Sequence, residues 1–221
     1  MVGEIFDTRN LQGLWHFNGN LTDSSPNGYT LTNNGSTDVV AKFGNGRNFV
    51  SASSQYATIA DASCPNLELS GSQTWVAWVK LATLADFHCV MAKTNTVNST
   101  DHRLLVDSTG AVLFQLTGLS TNIQVTSTNR VTAGIWACLT AVYDSSEQRL
   151  KVWVDGTKTE VVASGSANDS NGDFSVGRLG SAGSFYFNGV IDEVAIYSRA
   201  WSDSEVRSYF TWSRGYYTKV S

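Results

Sequence analysis

The sequence predicts an all-β chain of two antiparallel sheets packed face to face, with one short helix near the C-terminus. Three observations predict it. Helical periodicity is almost absent before residue 202, short alternating apolar runs recur, and Gly, Asn, Asp and Ser fill the intervals between them.

Leu11–Phe17 reads as the first strand, with Leu14 and Trp15 flanking its centre, and Tyr56–Ile59 as a short one. Thr74–Val79 is nearly continuously apolar, the pattern of a central strand covered on both faces. Phe87–Ala92, Leu104–Val106 and Val112–Leu116 follow, the last two joined by Asp107-Ser108-Thr109-Gly110. Trp136–Tyr143 and Val190–Tyr197 are long enough and apolar enough for sheet centres. Leu150–Val154 and Thr157–Val162 flank Asp155-Gly156, a pair suited to a type I′ turn because both of its central residues need positive φ. Ser202-Asp203-Ser204-Glu205 is a capping box, opening a short helix that ends near Tyr209.

The chain has 221 residues, 42% hydrophobic and 15% charged, with no internal repeat and no Pro-rich linker. It is therefore read as one domain over 1–221, with a core at about 11–210 and an aromatic C-terminal tail at 211–221. Net charge is −4 and the basic residues are scattered, which speaks against a nucleic-acid partner. No apolar run reaches 18 residues, so no membrane insertion is expected. Met1–Asp7 lacks the basic and apolar regions of a secretory signal, which leaves a removed signal or a virion as routes to an extracellular or cell-surface place of work. Cys64, Cys89 and Cys138 are odd in number and widely spaced, the pattern of buried thiols.

Seven segments, in order, carry a resemblance: Leu14–Asn20 with Asp23–Gly28, Lys42–Phe49 leading to Gln55–Ala57, Thr74–Lys80, Trp136, Val142–Asp144, Val154–Gly156, and Phe187–Asp203. Together they resemble the laminin-G-like jelly-roll family of the concanavalin-A-like lectin and glucanase superfamily. That resemblance implies a two-sheet antiparallel jelly-roll sandwich. It also implies a structural calcium on the convex side, held by Asp192, by Asn18 and Asp23 from the N-terminal region, and by the Gly46 carbonyl. Calcium takes six to eight oxygens, so one or two carboxylates with carbonyls are chemically reasonable. The same residues admit a second account, in which Asp23 caps a turn and Asp192 accepts backbone hydrogen bonds. The chain departs from the family at Ala137-Cys138, where a His is common, and in its tail, which either folds back on the sandwich or docks on a neighbouring subunit.

Catalysis finds no support in the residues. No strand carries two carboxylates at i and i+2, Asp192 and Glu193 are adjacent and so point to opposite faces, and no nucleophile elbow is present. Candidate ligand contacts are His102 and Arg103, the Asp169 and Asp173 pair in a polar loop, and Phe185 and Tyr186, of which alternation exposes one side only. The family implies a non-catalytic carbohydrate-binding or adhesion module for a glycan or cell-surface polysaccharide. The alternative is a structural surface subunit, such as a virion decoration or fibre protein or an envelope component, joined to itself or to other subunits through the tail.

Overall fold

The computed structural model describes residues 6–94, 102–168, 171–180 and 183–215. In chain order the strands are β1 (Leu11–Trp15), β2 (Thr32–Asn34), β3 (Thr37–Val40), β4 (Asn45–Phe49), β5 (Tyr56–Ile59), β6 (Gln73–Leu81), β7 (His88–Lys93) and β8 (His102–Val106). They continue as β9 (Ala111–Leu116), β10 (Gln124–Arg130), β11 (Ala137–Asp144), β12 (Arg149–Val154), β13 (Thr157–Val162), β14 (Phe174–Val176) and β15 (Gly189–Tyr197), before helix α1 (Asp203–Arg214). An eight-stranded sheet runs β13-β12-β11-β6-β15-β4-β3, with β1 also on β15, and a seven-stranded sheet runs β10-β9-β8-β7-β14-β5-β2. The strand pairings are antiparallel, which makes the sandwich and jelly-roll expectation correct.

β6 lies between β11 and β15 and is buried along its length except at Lys80, as its continuous apolar run predicts. Alternation sends Trp75, Ala77 and Val79 into the space between the sheets, with Trp15, Phe49, Phe114 and Phe174. Val76 and Trp78 point the other way, into a second apolar cluster on the outer face of the eight-stranded sheet. That outer cluster is closed by Phe6, Phe43 and the buried face of α1, Val206 and Tyr209. All three cysteines are buried free thiols.

The capping box forms: Glu205 N–H donates to Ser202 Oγ at 3.2 Å, and Ser202 N–H donates to Glu205 Oε2 at 2.8 Å. The helix does not stop near Tyr209 but runs to Arg214. The reason is that part of the segment read as an irregular tail continues the helix's apolar face: Ser213 is buried and Phe210 stacks on Trp78 with centroids 6.4 Å apart. Residues 216–221 lie outside the described residues. The first strand ends at Trp15, two residues before its expected end, because Phe17 takes a left-handed φ of 59°. Strands β2, β3 and β10, which the sequence does not announce, lie at sheet edges; β2 and β10 are mostly polar and β3, Thr37-Asp38-Val39-Val40, is too short to alternate, so neighbouring strands and not hydrophobic alternation define them. No described helix is long and apolar enough to cross a membrane.

Asp155 and Gly156 have φ of 51° and 77°, as the type I′ turn requires. The turn also touches the helix, since a Cβ added at Gly156 would lie 2.8 Å from Phe210 Cδ1. Gly156→Ala is therefore expected to cost about 1–2 kcal/mol, from the left-handed backbone alone, with the contact adding to it. A urea titration with an unchanged midpoint would contradict this role for the turn.

Candidate binding face of the seven-stranded sheet

Along each strand of the seven-stranded sheet, alternate residues enter the inter-sheet core and leave the others facing outward. The register aligns those others into a row crossing the sheet: Gln115 opposite Arg103, Arg103 opposite Ala92, Ala92 opposite Ser175, and Ser175 opposite Thr58. Arg103 Nε and Nη2 both donate to Gln115 Oε1, at 3.0 and 2.6 Å. The Thr58 and Ser175 hydroxyls share a hydrogen bond of 2.9 Å. Between these two fixed pairs sits Ala92, without a polar group. No strand of this sheet carries an Asp or a Glu.

The connection from β14 to β15 folds over this row. Leu179 and Ser184 pair as an antiparallel bridge, and Leu179 packs in a small cluster with Cys89, Ala92 and Leu105. Cys89 N–H donates to the Phe185 carbonyl at 2.7 Å, tying the loop to β7. Phe185 has a φ of 49°, which breaks the simple alternation. Phe187 is consequently buried in the core, while Phe185 and Tyr186 both stay half-buried. Phe185 rests on Phe87 with centroids 5.3 Å apart, and Tyr186 lies 6.4 Å from Tyr56. Arg178 lies over the Tyr56 ring, its guanidinium carbon 3.7 Å from the centroid.

Arg103, Phe185 and Tyr186 thus belong to one face. His102 does not. It shares the inward side of β8 with the core residues Leu104 and Val106, is buried, and burial pushes its pKa down to about 4, so it stays neutral. Asp173 Oδ1 accepts the Asp61 N–H at 3.2 Å, a loop-closing role at the end of the sheet. Asp169 lies outside the described residues. Sequence reasoning missed Tyr56, Arg178 and Gln115 as site residues. Tyr56 and Gln115 were visible only as strand residues, and Arg178 gains its position from the loop alone.

The four residues expected to hold calcium do not fit one. Asp23 uses both oxygens as a cap: Leu14 N–H and Ser25 N–H donate to Oδ1 at 2.8 and 2.7 Å, and Ser25 Oγ–H and Tyr29 N–H donate to Oδ2, each at 2.7 Å. Asn18 Oδ1 accepts the Asn45 N–H at 2.8 Å. Gly46 is where β4 passes close to β15, since a Cβ there would lie 3.0 Å from the Ile191 carbonyl oxygen and 3.4 Å from Asp192 Cβ. Asp192 is fully buried; its Oδ2 accepts the Phe43 N–H at 2.8 Å, and its Oδ1 is without a hydrogen-bond partner. One open carboxylate oxygen falls far short of the six to eight that calcium takes. Nor do any three His, Cys, Asp or Glu among the described residues form a metal-sized group.

What the structure offers at Asp192 is a bulge. Glu193 takes a φ of 51° and the β15–β6 register shifts between Asp192 and Ala195, so both neighbouring carboxyls are buried. Glu193 Oε2 lies 2.8 Å from His16 Nδ1, a contact that raises the His16 pKa. Burial raises the Glu193 pKa, and burial together with the Glu193 charge pushes Asp192 up to about 8. On the edge of the same sheet, a cavity of about 800 Å³ lies between α1 and β12–β13. Its charges are spent on one another: Lys158 meets Asp203 at 2.7 Å and Glu160 at 2.8 Å, and Lys151 pairs with Glu147.

Raised pKa values at Asp192, Glu193 and His16 have one sign for stability. The folded chain holds protons that the unfolded chain has released, so the contribution of these three groups to stability is fullest below about pH 4 and declines as pH rises toward 8. Asp192→Asn should remove the largest part of that decline, measured as urea midpoints between pH 4.5 and 8; parallel pH profiles for the two proteins would refute the assignment. Melts in excess EDTA and then in calcium should coincide. A calcium-dependent rise of several degrees that Asp192→Asn abolishes would restore the cation.

No curated protein sequence matches the chain. Among solved structures, domain 4 of AbnA, an extracellular GH43 arabinanase from Geobacillus stearothermophilus solved with arabinotriose, aligns with a TM-score of 0.69 at 20% identity, over 90% of this chain and 98% of that one. Botulinum neurotoxin type C, described as entering cells through two ganglioside molecules, aligns with a TM-score of 0.67 at 11% identity, over 91% of this chain and 50% of that one. Trypanosoma rangeli sialidase, solved with sialic acid, aligns with a TM-score of 0.64 at 16% identity, over 91% and 32%. The chain therefore spans nearly all of the arabinanase domain, half of the neurotoxin chain and a third of the sialidase. At these identities the likenesses establish the sandwich fold. The family model for Laminin_G_3, described as the concanavalin A-like lectin/glucanases superfamily, matches residues 51–207, and with more than half its length matched the chain belongs to that family.

Proposed function

We propose that this chain is a non-catalytic carbohydrate-binding module whose ligand lies across the outer face of the seven-stranded sheet. The observation that carries the reading is the meeting of two half-buried tyrosines, Tyr56 and Tyr186, with a row of side chains already fixed by their own hydrogen bonds. A sugar ring presents an apolar face and a rim of hydroxyls. Tyrosine rings suit the first, and the partly exposed Arg103 and Thr58, held in place by the buried Gln115 and Ser175, suit the second without further ordering. The described strands of this sheet carry no Asp or Glu and so lack a carboxylate pair for glycoside hydrolysis, which supports holding a glycan over cleaving it. The arabinotriose on the arabinanase domain and the gangliosides of the neurotoxin support a glycan as the ligand class. An extracellular or cell-surface setting goes with such a ligand.

A structural surface subunit is the second reading, and it draws on Trp212, which remains 39% exposed near the C-terminal end of α1 while stacking on Phe43. Glycan binding separates the two. Titration calorimetry with arabinotriose and a panel of neutral and acidic oligosaccharides should find at least one ligand. Tyr186→Ala should weaken that ligand about fivefold or more, the worth of roughly 1 kcal/mol from one ring contact. Silence across the panel, or unchanged affinity in Tyr186→Ala and Tyr56→Ala, would remove the reading.

A further inference from the structure

Arg178 stands out among the cations of this molecule. It is 8% exposed, yet no carboxylate lies within 4.0 Å of it among the described residues, and its single hydrogen bond is a long one of 3.4 Å from Nε to Ser175 Oγ. The other well-buried cations have acidic company: Lys93 pairs with Asp61, Lys151 with Glu147, and Arg47 sits 4.0 Å from Asp38. A guanidinium withdrawn from water normally has a counter-charge, because its five N–H donors and its positive charge both lose hydration. The Tyr56 ring face compensates part of that loss through a cation–π contact, but it accepts none of the in-plane N–H bonds.

The surroundings deepen the deficit. Every Asp and Glu that falls on a described strand belongs to the eight-stranded sheet, as Asp38, Asp144, Glu160, Asp192 and Glu193, while the strands of the seven-stranded sheet carry none. Arg178 thus stands beside described strands that carry no negative charge, in a chain whose net charge is −4. A guanidinium held against an aromatic ring face is restrained in position, and its planar fork can meet a planar anion with two parallel N–H bonds.

We infer that Arg178, set over the Tyr56 ring with no carboxylate partner among the described residues, is the specificity-determining residue of this face and selects a sugar bearing a carboxylate group, a uronic or sialic acid type of residue. The inference rests on the glycan reading above and narrows it. The uronate carboxylate supplies the missing counter-charge, Tyr56 and Tyr186 bound the ring, and the partly exposed Thr58 meets a neighbouring hydroxyl.

Trigalacturonic acid and its trimethyl ester test this with one sugar skeleton, charged and neutral. Calorimetry on the full chain should show the acid binding at least about tenfold more tightly than the ester, the order a charge-assisted pair supplies, with the preference shrinking as salt is raised. Arg178→Gln should lower the acid to the affinity of the ester and leave the ester unchanged, and Arg178→Lys should retain part of the preference. Thermal melts establish that each variant is folded; should Arg178→Gln not fold, the acid–ester comparison on the parent chain still decides. Equal binding of acid and ester, equal loss of both in Arg178→Gln, or a preference for a sulfated galactose trisaccharide over the uronate would overturn the carboxylate assignment. If arabinotriose binds and the acid does not, this inference fails and the glycan reading stands; if no sugar binds, the glycan reading fails and takes this with it.

Discussion

The central strands of the eight-stranded sheet, β12, β11, β6 and β15, are buried on both faces, and the remaining architecture depends on that. One face packs on the seven-stranded sheet around Trp15, Phe49 and Trp75. The other is roofed by Phe6, Phe43 and α1, with Trp78, Trp153 and Tyr197 beneath. Two-sided burial explains why β6 and β15 are almost continuously apolar and why the helix must extend to Arg214. It also decides where a ligand has room. With the outer face of the eight-stranded sheet roofed, the polar row and the tyrosines lie on the outer face of the other sheet, where Tyr56, Thr58, Arg103 and Tyr186 keep part of their surface exposed.

The same division sorts the charges. Carboxyls are taken into the eight-stranded sheet, where the Asp192–Glu193 bulge buries two of them and His16 offsets one. Such burial is costly unless protons are retained, which the raised Asp192 pKa reflects. The seven-stranded sheet keeps Arg103 and gains Arg178 from the β14–β15 loop. An acidic protein therefore presents one face without acidic strand residues, a property that net charge conceals.

Much of the fold was legible in the sequence because hydrophobic period and turn chemistry are local. Thr74–Val79, Tyr56–Ile59 and the Asp155-Gly156 hairpin lie where periodicity and positive-φ chemistry put them. Strands β2, β3 and β10 were not legible, since short or polar edge strands take their register from a neighbour. The site was legible in part. Arg103, Phe185 and Tyr186 were identified by type, but alternation alone could not foresee that Phe185 at φ 49° would keep two successive aromatics at the surface. His102 and Asp23 misled for opposite reasons: the first follows the inward side of its strand, and the second spends its oxygens on four local donors. Arg178 has no signal of its own in sequence. Only the register Ala57↔Val176 and the turn that follows β14 bring it over Tyr56.

The central claim is a location, and backbone amide chemical-shift mapping tests a location directly. Adding trigalacturonic acid to the isotopically labelled full chain should move the amides of Tyr56, Thr58, Arg103, Ser175 and Arg178 together, on one binding isotherm, with α1 and the Lys158–Asp203 groove unchanged. Shifts concentrated at α1 and that groove, with the seven-stranded sheet silent, would contradict the account.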